Sequence, residues 1–107
     1  MAIILNHTIV PVRDKAAAAR FFADIFGLTC ERVGYFAPVR VNDQTTLLFD
    51  NTDTFQSHHY AFHVSDAEFD AIFDRVKAAG LAYGSAHRLQ MNAACARLGF
   101  LHPANTG

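Results

Sequence analysis

Histidines are the residues of this sequence best suited to chemistry, and there are six of them. His58, His59 and His63 lie close together, and His7 lies near the N-terminus. A neutral imidazole binds Zn, Ni, Mn or Fe, and a metal bound in this way polarises oxygen atoms of a substrate. Catalytic metal sites generally use three protein ligands and one open position, so two histidines alone would hold a metal weakly.

Other familiar catalytic patterns are missing from the sequence. Cys30 and Cys95 do not form a Cys-x-x-Cys pair, and either thiol can also serve as a small apolar packing group. No Gly-x-Ser-x-Gly motif and no glycine-rich phosphate loop occur. Serine hydrolases and nucleotide-binding enzymes are therefore disfavoured.

The composition indicates one folded domain. The chain has 107 residues, of which 51% are hydrophobic and 18% are charged. Nine basic and ten acidic residues give a net charge of −1, which disfavours nucleic-acid binding. Apolar runs are too short to span a membrane, and the N-terminus lacks the pattern of a signal peptide. We expect a cytoplasmic protein with no membrane partner.

The first half predicts a strand, a helix and three short strands. A strand is expected over 3–12, where His7 shares a face with Leu5 and Ile9. A lone histidine on such a face is often a core residue with a hydrogen-bond partner. Asp14 is the expected N-cap of the helix and Gly27 its C-terminal glycine. The three following strands are predicted at 29–36, 37–42 and 45–50, with a turn at Asn42-Asp43-Gln44 between the last two.

The second half repeats this order less completely. A strand over 58–64 leads to a capping box formed by Ser65 and Glu68, and the helix ends at Gly80. One further short strand is predicted at 97–101. The pattern predicts an α+β fold with paired βαβββ modules, about 1–52 and 56–107, the second incomplete at its C-terminus. The modules are expected to form a curved mixed sheet with helices on one face and a ligand trough on the other.

Several side chains are candidates for that trough. His59 and His63 share one strand face about 13 Å apart, which is too far for both to chelate one ion without bending of other elements. His63 either lines the trough or is hydrogen-bonded in the core. Tyr35 and Phe49 either line the trough as aromatic contacts for a substrate or pack in the sheet core.

Three segments together resemble the vicinal oxygen chelate superfamily. They are Leu5–Val12 (LNHTIVPV), Arg20–Leu28 (RFFADIFGL) and His59–Val64 (HYAFHV). This superfamily includes glyoxalase I, fosfomycin-resistance enzymes, extradiol dioxygenases and bleomycin-resistance proteins. The resemblance covers roughly 3–83.

The resemblance implies one divalent metal, Zn, Ni, Mn or Fe, with an incomplete ligand set. His7 matches the first ligand position and His59 the second. The third ligand, a glutamate on the last strand of module two, is absent at the expected position, since the last glutamate of the chain is Glu68. Truncation, a frameshift or divergence would each give this C-terminal end.

The resemblance also implies two functions. The first is a metal-dependent lyase, isomerase or dioxygenase acting on a small substrate with adjacent oxygens, although no catalytic acid or base is identifiable from the sequence. The alternative is a metal-free protein of the bleomycin-resistance type that binds a drug or metabolite. Members commonly dimerise, so a homodimer is expected.

Overall fold

The structure is a computed structural model that describes residues 2–54, 60–81, 91–92, 97–98 and 100–103. Backbone contacts divide the chain into two compact units, 1–55 and 56–107. The elements follow one another in the order β1 His7–Val12, α1 Lys15–Phe26, β2 Ala37–Arg40, β3 Thr46–Asn51, β4 Ala61–Val64, α2 Asp66–Ala78, β5 Met91–Asn92, β6 Arg97–Leu98 and β7 Phe100–Pro103. The predicted α+β class and the repeated strand–helix–strand order are confirmed.

The sheet of unit 1 is mixed, with strand order β1-β3-β2. β1 runs parallel to β3, and β2 runs antiparallel to it. The strand predicted from residue 3 begins only at His7, because the ladder with β3 starts at the pair His7 and Thr46. Before this ladder, the Thr46 amide donates to the Asn6 carbonyl at 2.9 Å, and the Thr45 hydroxyl donates to the Leu5 carbonyl at 2.5 Å.

Alternation along the strands divides this sheet into a buried face and an open face. On β1, Val10 and Val12 are buried, whereas His7 and Ile9 are exposed. The buried face packs on α1 through apolar side chains from both layers: Val10, Val12, Ala18, Ala19, Phe22, Ala23, Ile25, Ala37, Val39, Leu47 and Phe49. Burial of this face fixes which residues of β1 to β3 reach the solvent side.

Helix α1 has the predicted ends. The Asp14 side chain accepts a hydrogen bond from the Ala17 amide at 3.1 Å, and Gly27 ends the helix in the left-handed conformation at φ 71°. The side-chain oxygen of Asn51, at the end of β3, accepts from the Lys15 amide at 2.7 Å. This bond ties the start of the helix to the sheet.

The strand predicted over 29–36 was wrong, because only one bridge forms there, between Cys30 and Val39. The Gly34 amide donates to the Phe36 carbonyl at 2.9 Å, so the backbone turns before a ladder can extend. The Lys15 ammonium donates to the Tyr35 carbonyl at 2.7 Å and holds this turn near α1.

Unit 2 contains the second helix and short strands. Ser65 and Glu68 form the predicted capping box of α2, whose buried residues are Phe69, Ile72 and Val76. β4 is Ala61–Val64, and residues 58 and 59 of the predicted strand lie outside the described part. The strand predicted over 97–101 corresponds to β6 and β7.

The two units pair their strands with the same spacing. β1 pairs in parallel with β3, from His7 and Thr46 onward, and β4 pairs in parallel with β7, from Ala61 and Phe100 onward, a separation of 39 residues each time. β5 and β6 pair with each other and have two residues each. In the described part, unit 2 has the element order β4-α2-β5-β6-β7. Neither α1 nor α2, the helices of the described part, has the length and hydropathy to span a bilayer.

Candidate functional site

His7 lies at the exposed start of β1, where its ring is oriented by the preceding residue. Its Nδ1 lies 2.7 Å from the side-chain oxygen of Asn6. An amide oxygen only accepts hydrogen bonds, so this contact places the proton of the neutral ring on Nδ1. The lone pair is then on Nε2, the arrangement in which a histidine binds a metal while a neighbour holds its other nitrogen.

A polar row crosses the open face from His7. Thr46 is the partner of His7 on β3, and Arg40 is the partner of Thr46 on β2. Since neighbouring strands lie about 4.8 Å apart, the backbone of Arg40 is roughly 10 Å from that of His7. The row therefore combines an imidazole, a hydroxyl and a guanidinium over the width of a small molecule.

Arg40 carries only weak internal contacts. Its Nε lies 3.6 Å from a carboxylate oxygen of Glu31, and its Nη1 donates to the Asp43 carbonyl at 3.4 Å. Both side chains of the ion pair are about half exposed, and such pairs contribute little stability. The guanidinium can thus exchange these contacts for an anionic group of a ligand at low cost.

A shallow pocket of about 450 Å³ lies at this end of the sheet. Its lining residues are Ile4, Asn6, Arg40, Asp43, Gln44 and Thr46. The pocket thus includes the residue that orients His7 and both further members of the polar row.

The predicted turn between β2 and β3 forms one wall of the pocket. The side-chain oxygen of Asn42 accepts from the amides of Gln44 and Thr45, both at 2.8 Å. The Val41 amide donates to the Thr45 carbonyl at 3.0 Å and closes the turn. These bonds fix the loop that carries Asp43 and Gln44.

An apolar row lies next to the polar row on the same face. Ile9 is the partner of Leu48, and Leu48 is the partner of Pro38. Ile9 is exposed, and the other two are half-buried. The open face of unit 1 therefore offers polar groups at the His7 end and apolar contact beyond it.

The other residues predicted for the site are distributed as follows. His59 lies outside the described residues. His63 is exposed on β4 in unit 2, and Tyr35 is exposed in the turn before β2. Phe49 is fully buried, with its ring 5.8 Å from that of Phe22, so it packs against α1 on the side of the sheet opposite His7.

Two observations concern metal ligands and acids in the described part. No cluster of three or more His, Cys, Asp or Glu side chains is placed there to hold an ion. Burial raises the pKa of the Tyr60 phenol above its ordinary value of 10.0, so this group stays protonated at neutral pH.

Sequence reasoning missed three residues of this site: Asn6, Thr46 and Arg40. Arg40 and Thr46 flank the recognised turn at Asn42, so hairpin pairing could have placed the two on one face of the hairpin. That this is also the face of His7 depends on the pairing of β1 with β3. Asn6 carried one signal, its position directly before a candidate ligand histidine.

The family model of the Glyoxalase/Bleomycin resistance protein/Dioxygenase superfamily matches residues 4–93. The chain belongs to this superfamily. The match covers nearly all of module one and module two as far as residue 93, and it contains His7 and His59. The resemblance inferred from the three sequence segments is thereby confirmed.

Solved structures of the superfamily include two similar proteins named oxidases. Oxidase ChaP-H2 is 31% identical, with a TM-score of 0.78, and the match covers 100% of this chain and 99% of that one. Oxidase ChaP-H1 is also 31% identical, with a TM-score of 0.77 and coverage of 98% and 100%.

A more distant structure, the fosfomycin resistance protein FosX of Listeria monocytogenes, was solved with Mn(II) and sulfate. It is 18% identical, with a TM-score of 0.73 over 96% of this chain and 93% of that one. At this identity the likeness shows the fold alone. No curated protein sequence matches the chain.

Proposed function

We propose that this protein is a divalent-metal-dependent enzyme that oxidises a small substrate carrying adjacent oxygen atoms. The observation that carries the proposal is the hydrogen bond between Asn6 and His7, which leaves Nε2 of an exposed imidazole available to a metal. An oriented imidazole on the open face of a sheet fits a catalytic ligand better than a packing residue.

His7 and His59 are the proposed metal ligands. Each precedes the last valine of its strand by five residues, Val12 for His7 and Val64 for His59, so the two occupy the same position in the repeat. A divalent metal bound there would polarise the oxygens of a substrate. The metals that suit imidazole ligands include Zn, Ni, Mn and Fe.

Arg40 and Thr46 are the proposed substrate-binding residues. The guanidinium of Arg40 favours a substrate that is anionic or gains negative charge during the reaction. The Thr46 hydroxyl can donate to or accept from a substrate oxygen. Ile9 and Leu48 supply apolar contact for the remainder of the molecule.

Oxidation is the reaction class that the similar proteins support. Both structures at 31% identity are named oxidases, and each match spans nearly the whole of both chains. A lactoylglutathione lyase of Agrobacterium tumefaciens is also similar, but at 19% identity that likeness shows the fold alone.

We further propose that the protein acts as a cytoplasmic homodimer. Two large apolar side chains near the N-terminus, Ile3 and Leu5, are exposed. Contact with a second copy would remove this apolar surface from water.

The direct test is oxygen uptake. Metal-free protein, Fe(II)-loaded protein and Mn(II)-loaded protein are mixed with ortho-dihydroxy aromatic compounds and 2-hydroxy ketones in an oxygen electrode. We expect metal-dependent consumption of oxygen that is abolished in His7→Ala and retained in Arg13→Ala, a control at an exposed position after β1. Substrate binding without turnover would instead support the metal-free binding function.

A further inference from the structure

A second polar position lies on the open face of unit 1, at the end opposite His7. Asp50 lies on the same face of β3 as Thr46, four positions earlier, because side chains alternate along a strand. The next residue, Asn51, reaches the other way, since its side-chain oxygen accepts from the Lys15 amide at the start of α1 at 2.7 Å. Asp50 is therefore directed away from α1, toward the open side of the sheet.

The Asp50 carboxylate has no partner among the residues that the structure describes. Its neighbour on β1 is Pro11, which has no amide hydrogen to donate. The ion pairs of the described part use the carboxylates of Glu31 and Asp74 instead. Asp50 is half-buried, and partial burial of a charge without a donor is unfavourable. A hydrogen-bond donor of a ligand would offset this cost.

The surface between the two polar ends is apolar. The row of Ile9, Leu48 and Pro38 separates them. Four residues of a strand extend about 13 Å, so the backbones of Thr46 and Asp50 are separated by roughly that distance. A ligand that contacts both ends must therefore be longer than a single six-membered ring.

Aromatic side chains lie at the Asp50 end of the sheet. Ala37 and Phe49 are partners in the ladder of β2 and β3. Phe36 directly precedes Ala37, and Asp50 directly follows Phe49, so Phe36 and Asp50 lie at the same end. The Phe36 ring lies 4.8 Å from that of Tyr35. Aromatic contact is thus available next to the carboxylate.

We propose that Asp50 is a specificity-determining residue that binds a hydrogen-bond-donating group, a hydroxyl or an ammonium, at the far end of an elongated aromatic substrate. The adjacent oxygens of the same molecule lie at the His7 end, beside Arg40. Its ring system lies over the apolar row. Only the placement of the adjacent oxygens rests on the proposed function.

Matched two-ring probes test this assignment in the full-length chain. The reference probe is 4-phenylcatechol, whose second ring carries no polar group. One analogue has a para hydroxyl on that ring, and the other has a para aminomethyl group. Dissociation constants are measured by titration calorimetry, with metal-free protein and with protein saturated with Zn²⁺, which undergoes no redox change. We expect the parent to bind a donor-bearing probe about tenfold or more tightly than 4-phenylcatechol.

Variants of two aspartates assign this preference to its residue. Asp50→Ala should weaken binding of the donor-bearing probes to the level of 4-phenylcatechol. Asp50→Asn keeps an acceptor oxygen, so it should retain part of a preference for the hydroxyl and lose one for the ammonium. Asp24→Ala, at an exposed carboxylate of α1, is the matched control and should keep the full preference. Because the preference is a ratio of affinities measured on one protein, a lower folded fraction would not change it.

Three results would overturn the proposal. They are equal affinities of the parent for all three probes, a preference that persists in Asp50→Ala, and absence of binding by every probe. Failure of the proposed function would be seen separately, as oxygen uptake that His7→Ala does not alter.

Discussion

At the residue scale, the site depends on the partnership of Asn6 and His7. The 2.7 Å contact holds the histidine ring with Nδ1 toward the side-chain oxygen of Asn6. A ligand that is oriented before the metal arrives loses less conformational entropy on binding. In the proposed metal site, Asn6 would therefore be a positioning residue that acts through His7.

Substitution of Asn6 tests this role. We expect Asn6→Ala to weaken Mn²⁺ binding by about 10- to 100-fold, the cost typical of losing an outer partner of a metal ligand. Asn6→Asp keeps an acceptor oxygen toward Nδ1 and should restore most of the affinity. Equal affinities in the parent and in Asn6→Ala, measured by Mn²⁺ titration, would show that Asn6 has no positioning role.

Residue types alone led to part of this site. His7 was recognisable from its side chain and its place on a strand. The role of Asn6 was not, because a side-chain hydrogen bond depends on rotamers that the sequence does not specify. Phe49 was a candidate for the trough, but an aromatic residue on a strand is equally suited to the core. Because side chains alternate along β3, Phe49 lies on the buried face, next to Phe22.

At the element scale, the helix ends were predictable and the strand limits were not. Asp14, Gly27 and Ser65 act through bonds within a few residues, so their local pattern is sufficient. The start of β1 depends on where β3 begins to pair with it, nearly 40 residues later. Likewise, the segment over 29–36 had strand-like composition but turns away from β2 after a single bridge.

The capping box of α2 provides a stability prediction. The Ser65 hydroxyl accepts from the Glu68 amide at 3.2 Å, and a carboxylate oxygen of Glu68 accepts from the Ser65 amide at 3.1 Å and from its hydroxyl at 2.9 Å. We expect Ser65→Ala to lower the free energy of unfolding by about 1 kcal/mol, as measured by urea denaturation. Ser65→Thr keeps the hydroxyl and should lose much less. If Ser65→Thr lowered the free energy of unfolding as much as Ser65→Ala does, a capping role would be contradicted.

The contribution of the capping box to the free energy of unfolding depends on pH. Hydrogen bonds from the Ser65 backbone and then its side chain hold the pKa of the Glu68 carboxyl below its ordinary value of 4.5. A lowered pKa in the folded state stabilises the protein above pH 4.5, and this stabilisation is lost as the pH falls through the folded pKa. The difference in free energy of unfolding between the parent and Ser65→Ala should therefore become smaller below pH 4.5.

At the scale of the whole molecule, the two units repeat one order of strands and helix but carry different residues at corresponding positions. The parallel ladders of both units share one spacing, yet Pro11 and Asp50 in unit 1 correspond to His63 and His102 in unit 2. The sequence alone indicated the repeat through its element order. The register of β7 against β4 was not predictable, because no periodicity marks that part of the chain.

The proposed homodimer is testable through the exposed apolar residues. Sedimentation velocity should give twice the monomer mass at micromolar concentration. We expect Ile3→Lys/Leu5→Lys to weaken dimerisation strongly, since burying a large aliphatic side chain contributes roughly 1.5–3 kcal/mol. Val33→Lys, at another exposed apolar position of unit 1, is the control and should leave the dimer intact. A monomeric parent would refute the homodimer.

Mn²⁺ binding to His7 is the measurement that tests the central claim most directly. Free Mn²⁺ is followed by electron paramagnetic resonance during titration of the parent and of His7→Ala, with His63→Ala as the control at another exposed histidine. The proposal predicts one bound Mn²⁺ per parent chain, at least about tenfold weaker binding in His7→Ala, and unchanged binding in His63→Ala. A parent that binds no Mn²⁺, or a His7→Ala variant that binds it equally well, would contradict the proposed metal site.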